Sequence, residues 1–288
     1  DLHFTIAGGS GISYDTSFIA KDKVGNTNIA IRTVYKQNGS LAESNEYLSS
    51  GSYHWIWDAA ADLPEGFNSH AITVVGTVKE FRPLYIEIDL SAGSGAYTVV
   101  GYDAVPQGGW TDEHKTTKLV LRRIEPGKFR MSNTSDVELT KPFYIGVFEI
   151  TQKQYELVMG TNPSKYKGDK RPVEQVTYKM IRGSSEGLKW PSSSAVDYNS
   201  FMGRIRMRTG LDFDLPTEAQ WEYSCRAGTT TSYNNGGSGY SDLKKVARFE
   251  ATEDDGKGGY KQHTVVGCYK VNNWGLYDCH GNGSEWCL

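Results

Sequence analysis

Glycine recurs through this chain often enough to limit what it can fold into. There are 32 glycines in 288 residues. A residue that tolerates positive φ, and loses more backbone entropy than any other on ordering, marks turns rather than long helices. The expectation is many short elements joined by tight loops. The chain also carries 18 Tyr, 10 Phe and 7 Trp, enough apolar area for an ordered core rather than a disordered chain. Its length suits one or two domains. Acidic and basic residues are well mixed around a net charge of -3, so no basic patch points to nucleic acid. No apolar run approaches the ~18 residues of a membrane span.

Residues 1–92 read as an all-β domain of the small-sandwich type. Asn28 to Tyr35 alternates like a half-buried strand, and Asn38-Gly39 is a hairpin turn signal. Tyr53, Trp55 and Trp57 share one strand face. That stripe could stack on sugars, but core packing is the simpler reading. Ala71 to Lys79 and Tyr85 to Leu90 extend the alternation. Residues 93–117 are polar and Gly-rich without a period, which reads as a linker. A second domain, 118–288, opens on the strand Leu119–Ile124.

Three helix starts stand out in that second domain. Thr151-Gln-Lys-Gln154 is a capping box whose helix should stop at Gly160. Ser194 precedes a second helical pattern, with Val196, Phe201, Met202 and Ile205 on one side and Gly210 as its stop. Thr217-Glu-Ala-Gln220 is another capping box, opening a short helix through Tyr223. After Gly228 the composition predicts little regular structure, which places variable chemistry on loops.

Several separated motifs of this second domain, taken in order, resemble the formylglycine-generating-enzyme (sulfatase-modifying-factor) family. They are Phe143-Tyr-Ile-Gly-Val-Phe-Glu-Ile-Thr-Gln-Lys-Gln-Tyr155, Asn162-Pro-Ser164, Pro172-Val-Glu174, Phe213-Asp-Leu-Pro-Thr-Glu-Ala-Gln-Trp-Glu-Tyr223, Arg226-Ala-Gly228, Asn273-Trp-Gly-Leu-Tyr-Asp278, and Gly281-Asn282 with Glu285-Trp286. The resemblance implies an α+β fold: a loop-rich, C-type-lectin-like domain of formylglycine-generating-enzyme type, here preceded by the small all-β sandwich. Trp221, Tyr223, Trp274, Tyr277 and Trp286 read as aromatics that hold such a loop-rich globule together. Two positions depart from the family pattern. Phe129-Arg-Met-Ser132 has Ser where a turn glycine is usual, and Gly283-Ser284 replaces a small apolar residue and a Trp.

The resemblance implies chemistry only in part. The family's oxidases convert a client Cys to formylglycine with oxygen and a copper ion held by two cysteines, as expected for a soft metal. Those cysteines lie downstream of the block ending at Trp286, so the resemblance assigns no catalytic residue here, and copper enters only if a further C-terminal part supplies the pair. Cys225, Cys268, Cys279 and Cys287 occupy other positions, and their three possible pairings stay open. Cys268 and Cys279 could approach across the loop holding Trp274. The resemblance also implies a structural calcium ion, held by the Asp278 side chain, the Gly281 and Gly283 carbonyls, and the Glu285 carboxylate. Such a mixed oxygen set suits a hard cation. A second acidic run, Glu253-Asp254-Asp255 with Gly256 and Gly258, reads as a solvated loop. His280 reads as packed or solvent-facing rather than as a ligand or base.

Three functions remain open at this stage. One is a non-catalytic member of the family, another a fragment of an active copper oxidase, the third a calcium-supported, lectin-like ligand-binding module. The expected partner is a protein or peptide client or a surface ligand, with no nucleic acid and no membrane span. A chain opening at Asp1 rather than Met suggests a removed leader or a fragment, hence an extracytoplasmic or secreted setting. A chain stopping at Leu288 suggests a domain incomplete at its C-terminus.

Overall fold

The computed structural model describes residues 2–6, 14–22, 28–31, 34–36, 51–57, 62, 72–80, 82–93, 95–249 and 262–288. The chain divides into two units, Asp1–Arg82 and Pro83–Leu288.

The first unit is built from two three-stranded antiparallel sheets. One joins β1 (Leu2–Ile6), β5 (Gly51–Trp57) and β4 (Val34–Lys36). The other joins β3 (Asn28–Ile31), β2 (Tyr14–Asp22) and β6 (Ile72–Glu80). Trp55 of the first sheet is buried and meets Phe18 of the second edge-on, with ring centroids 6.0 Å apart. Trp55 is therefore a core residue joining two sheets, as a sandwich requires. The single strand expected over Asn28–Tyr35 is two strands, β3 and β4, in different sheets. Asn38-Gly39 lies outside the described residues, as does the Trp57 side chain.

The second unit begins earlier than its sequence suggests. β7 (Tyr85–Asp89) pairs with β8 (Thr98–Tyr102) on one side and β9 (Lys118–Ile124) on the other, and β12 (Phe143–Gly146) completes a four-stranded antiparallel sheet. The boundary thus falls at 82/83 rather than 92. The stretch 93–117 is not a linker, since it holds β8, the buried Tyr97 and a 3-10 turn, Asp112–Lys115, with buried His114. His114 Nε2 lies 3.0 Å from Glu87 Oε2, and Lys118 Nζ lies 3.2 Å from Glu87 Oε1. This buried polar group ties the polar stretch to the sheet, a tertiary contact that composition cannot register.

Alternation along the sheet builds the core. Ile88 and Leu90 from the β7 segment and Leu119 and Leu121 of β9 face α1 (Gln152–Met159), α2 (Tyr178–Arg182) and α3 (Phe201–Thr209). Tyr155 of α1 stacks on Phe201 of α3 with centroids 5.3 Å apart. Tyr85, Val120, Val147, Phe148 and Val266 form a second buried group. A separate hairpin, β10 (Gly127–Met131) with β11 (Ser135–Leu139), packs Phe129 on Tyr223 of α4 (Glu218–Arg226). α5 (Tyr240–Val246) is a further short helix where little regular structure was expected.

Local signals decide most helix ends. Thr151 and Gln154 form the reciprocal cap at α1, and Gly160 closes it at φ 79°. Thr217 and Gln220 do the same for α4, which runs beyond Tyr223 to Arg226 and ends on Ala227 in the left-handed region. The N-cap of α3 is Ser200 rather than Ser194, its hydroxyl accepting from Gly203 N. Residues before it are diverted because the Asp197 carboxylate accepts from Ser184 N, Ser185 N and Glu186 N at 2.7–3.0 Å. Three amides on one carboxylate outweigh weak helix propensity. At the β10–β11 turn, Ser132 holds φ 49° where glycine would be easiest, and its amide donates to Glu222 Oε1 at 2.7 Å. That charge-assisted bond offsets the strain of a side chain in the left-handed region.

Candidate functional site

Residues 262–288 contain no helix or strand, and side-chain hydrogen bonds shape them. Asn272 is the main pin. Its Oδ1 accepts from Trp274 N and Leu276 N at 2.9 and 3.0 Å, while its Nδ2 donates to the Ser224 and Cys225 carbonyls at 2.8 and 3.3 Å. One buried amide therefore folds its own turn and docks it on the end of α4, whose last carbonyls lack helical partners. Leu276 is buried beside Ile124 and Tyr223, and Tyr277 stacks on Phe148.

The four positions of the expected calcium site follow this turn. Asp278 holds φ 57° and is buried; its Oδ2 accepts from Gly267 N at 2.6 Å, and its Oδ1 has no hydrogen-bond partner. Burial lifts its carboxyl to about 6, opposed by the Gly267 bond. Gly281 holds φ 111° against the Arg248 carbonyl, which leaves no room for a Cβ. Gly283 N donates to Glu149 Oε1 at 2.7 Å, and Asn282 Nδ2 donates to Glu149 Oε2 at 2.6 Å. Glu149 stands well above the usual carboxylate range, through burial first and then the charges of Glu285 and Asp278. Glu285 is exposed as a residue, but its carboxylate turns onto the Trp221 indole N–H. Burial of the carboxylate raises it to about 7, opposed by the Trp221 bond.

Sequence reasoning missed Glu149. It stands in the motif Phe143–Tyr155, and only the fold carries it across to Gly283. Among the described residues no three His, Cys, Asp or Glu side chains converge as metal ligands. A cation here would have to draw on main-chain carbonyls as well as on Asp278. The unpartnered Oδ1 and the uncompensated carboxyls fit a hard divalent ion. The acidic run Glu253–Asp255 lies outside the described residues.

The cysteines arrange themselves differently from the sequence reading. All four are free, and Cys268 is exposed. Cys279 meets Cys225 rather than Cys268. The Cys225 thiol donates to the Cys279 carbonyl at 3.3 Å, which makes the two cysteines neighbours. The neighbouring Cys279, opposed by burial and helped by His280, draws Cys225 down to about 6, while Cys225 and burial push Cys279 well above an ordinary thiol. His280 is half-buried. Its ring packs edge-on against Tyr233, and Asn234 N donates to its Nε2 at 3.1 Å. Cys225, Tyr233, Asn234 and His280 line a cleft of about 220 Å³ beside α4.

A third feature corrects one expectation. Trp286 is not a core aromatic: 47% of it is exposed. Its indole N–H donates to the Val176 carbonyl at 3.1 Å, and its ring meets Tyr178 edge-on at 6.0 Å. The Arg182 guanidinium lies 5.8 Å from the Tyr178 ring and 5.8 Å from Trp190, which is also exposed. Arg182 is fully buried and held by the Asp214 carboxylate at 2.7 and 2.9 Å. Trp190, Tyr178 and Trp286 thus form a partly exposed aromatic row on a rigid cationic base. Tyr223 is buried as expected, while Trp221, Trp274 and Tyr277 are half-buried.

Fold and site together define a loop-rich α+β domain in which hydrogen-bonded turns, more than strands, present the chemistry. Residues 110–288 match the sulfatase-modifying factor enzyme 1-like domain, and the chain belongs to that family. It is 34% identical over 207 residues to the chaperone protein LppX of Paenibacillus barcinonensis, covering 62% of this chain and 74% of that protein. It is 34% identical over 122 residues to the formylglycine-generating enzyme of Bos taurus, covering 40% of this chain and 32% of the enzyme. The chain thus spans about a third of the length of that enzyme. Among solved structures, Treponema denticola variable protein 1 is similar at a TM-score of 0.45 and 22% identity, over 59% of this chain and 73% of that one. PvdO from Pseudomonas aeruginosa is similar at 0.43 and 23%, over 59% and 70%. Among the described residues no helix is long and apolar enough to cross a membrane.

Proposed function

We propose that this chain is a non-catalytic, sulfatase-modifying-factor-like domain that binds a protein or peptide client on the row Trp190–Tyr178–Trp286. The row is the observation that carries this reading. Large aromatic rings left partly open, on a base that cannot collapse, are the kind of surface that anchors a partner with little loss of side-chain entropy. A relative named as a chaperone, covered over 74% of its length, supports a binding role. Calcium is proposed as a structural ion bound by Asp278, Glu285 and the carbonyls of Gly281 and Gly283. It would stiffen the loop that ends in Trp286. An extracytoplasmic setting would supply that ion at millimolar concentration, where weak oxygen sites fill.

The test is suppression of aggregation of chemically denatured citrate synthase. Trp286→Ala and Trp190→Ala should each weaken suppression severalfold, with near-UV circular dichroism otherwise preserved. Variants that protect the client as well as the parent chain does would overturn the assignment of this surface.

A further inference from the structure

The cleft beside α4 is independent of the aromatic row, and client binding does not use it. Cys225 sits in the last turn of α4 and lines the cleft with Trp221, Tyr233, Asn234 and His280. Cys279, 54 residues away in sequence, lies behind it and does not line the cleft. The Cys279 sulfur is held by Asn272 Nδ2 at 3.8 Å and the Tyr277 carbonyl at 3.5 Å. So one cysteine, 5% exposed, borders the cleft, and a second touches it from the protein side through its carbonyl.

Two further observations point to a ligand. Asn234 is only 4% exposed, it lines the cleft, and its Oδ1 has no hydrogen-bond partner. A buried acceptor without a donor is costly unless something else satisfies it. The His280 ring is fixed as well. Its Nε2 accepts from Asn234 N at 3.1 Å, and the Cys225 sulfur lies 3.7 Å from Nε2 and 3.9 Å from Nδ1. The cleft therefore offers a sulfur, an imidazole beside that sulfur and an orphaned amide acceptor, in a volume of about 220 Å³. That space suits one arm of a small molecule rather than a folded chain.

We propose that this cleft is a thiol–disulfide exchange site for low-molecular-weight disulfides bearing amide N–H groups, with Cys225 as the attacking sulfur and Cys279 as the resolving one. In the first step Cys225 sulfur bonds to one sulfur of the small disulfide, whose S–S bond breaks. The departing thiolate takes up the proton lost from Cys225. In the second step Cys279 sulfur attacks Cys225 sulfur in the mixed disulfide, and the second small thiol leaves with the proton from Cys279. Two protein thiols are oxidised to one disulfide while the small disulfide is reduced to two thiols. An amide N–H of the bound arm donates to Asn234 Oδ1.

Oxidised glutathione serves as the probe, with iodoacetamide quenching and peptide mass spectrometry on the full chain. Cys225 should be captured roughly tenfold faster than the exposed Cys268, and the product should be the Cys225–Cys279 disulfide. This internal competition needs no variant, so a folding defect cannot obscure it. Cys279→Ser should accumulate the mixed disulfide on Cys225. Asn234→Ala should slow capture severalfold without altering the reaction of Cys268. Preferential modification of Cys268, or an unmodified Cys225 in the parent chain, would overturn the proposal.

Discussion

Between Lys118 and Thr209 the second unit is held mainly by apolar side chains on strands and helices. Between 262 and 288 it is held by amides and carboxylates acting on bare backbone. Ile88, Leu119, Val158 and Ile205 are each at most 3% exposed and come from regular elements. In the closing segment Asn272, Asp278 and Asn282 do the equivalent positioning, and Asp278 and Asn282 hold positive φ. An apolar core is held by area, so its strength is spread over many contacts. A loop held by a few polar side chains concentrates its strength in single residues, each with several bonds to lose.

The largest effect expected lies in the core. Ile205→Ala removes a fully buried side chain between sheet and helices and should cost about 3–4 kcal/mol in urea unfolding. Asn272→Ala comes next. It deletes five side-chain hydrogen bonds, the long one to the Cys279 sulfur included, and should cost about 2–3 kcal/mol. Asn272→Asp keeps the acceptors for Trp274 and Leu276 but loses the two donors, so it should recover only part of that loss. If Asn272→Ala proves as mild as a surface change, the contrast between the two regions fails.

Acid titration sharpens the comparison further. Asp278 is raised from 3.8 to about 6 in the folded chain. Across that window the native state holds a proton that the unfolded state has released. Without calcium, the contribution of Asp278 to stability should therefore be fully present below about pH 4 and be lost as pH rises to about 6, by at most about 3 kcal/mol. Asp278→Asn should flatten that window. Millimolar calcium, by favouring the charged carboxylate, should remove the decline in the parent chain and leave Asp278→Asn unchanged. Equal melting temperatures with calcium and with chelator at pH 7 would count against the ion. The smallest effect is Thr151→Ala, which removes the cap of α1 and should cost about 1 kcal/mol by thermal melting.

Much of the fold was legible because it is encoded locally. The caps at Thr151 and Thr217, the stops at Gly160 and Gly210, and the strand Leu119–Ile124 all depend on residues close to each other in sequence. The family, too, could be read from ordered motifs. Local reading failed where a distant partner decides. Tyr85–Asp89 looks like the preceding strands but pairs with β9. The polar stretch 93–117 is drawn into the unit by Glu87 and Lys118. Ser194 loses the helix start to Ser200 because Asp197 binds three amides elsewhere.

The candidate sites divide in the same way. The order of Asp278, Gly281, Gly283 and Glu285 is visible in the chain because those residues share one loop. Glu149 reaching Gly283, Cys225 meeting Cys279 and His280, and Arg182 lying between Tyr178 and Trp190 join residues from separate elements, and no spacing announces them. Sequence alone determined the turns, caps and family of this protein, since those follow from short-range dihedral preferences and hydrogen bonds. Tertiary structure alone decided which thiols meet, which carboxylates crowd and which tryptophan stays open, because distance in space and exclusion of water exist only once the chain has packed.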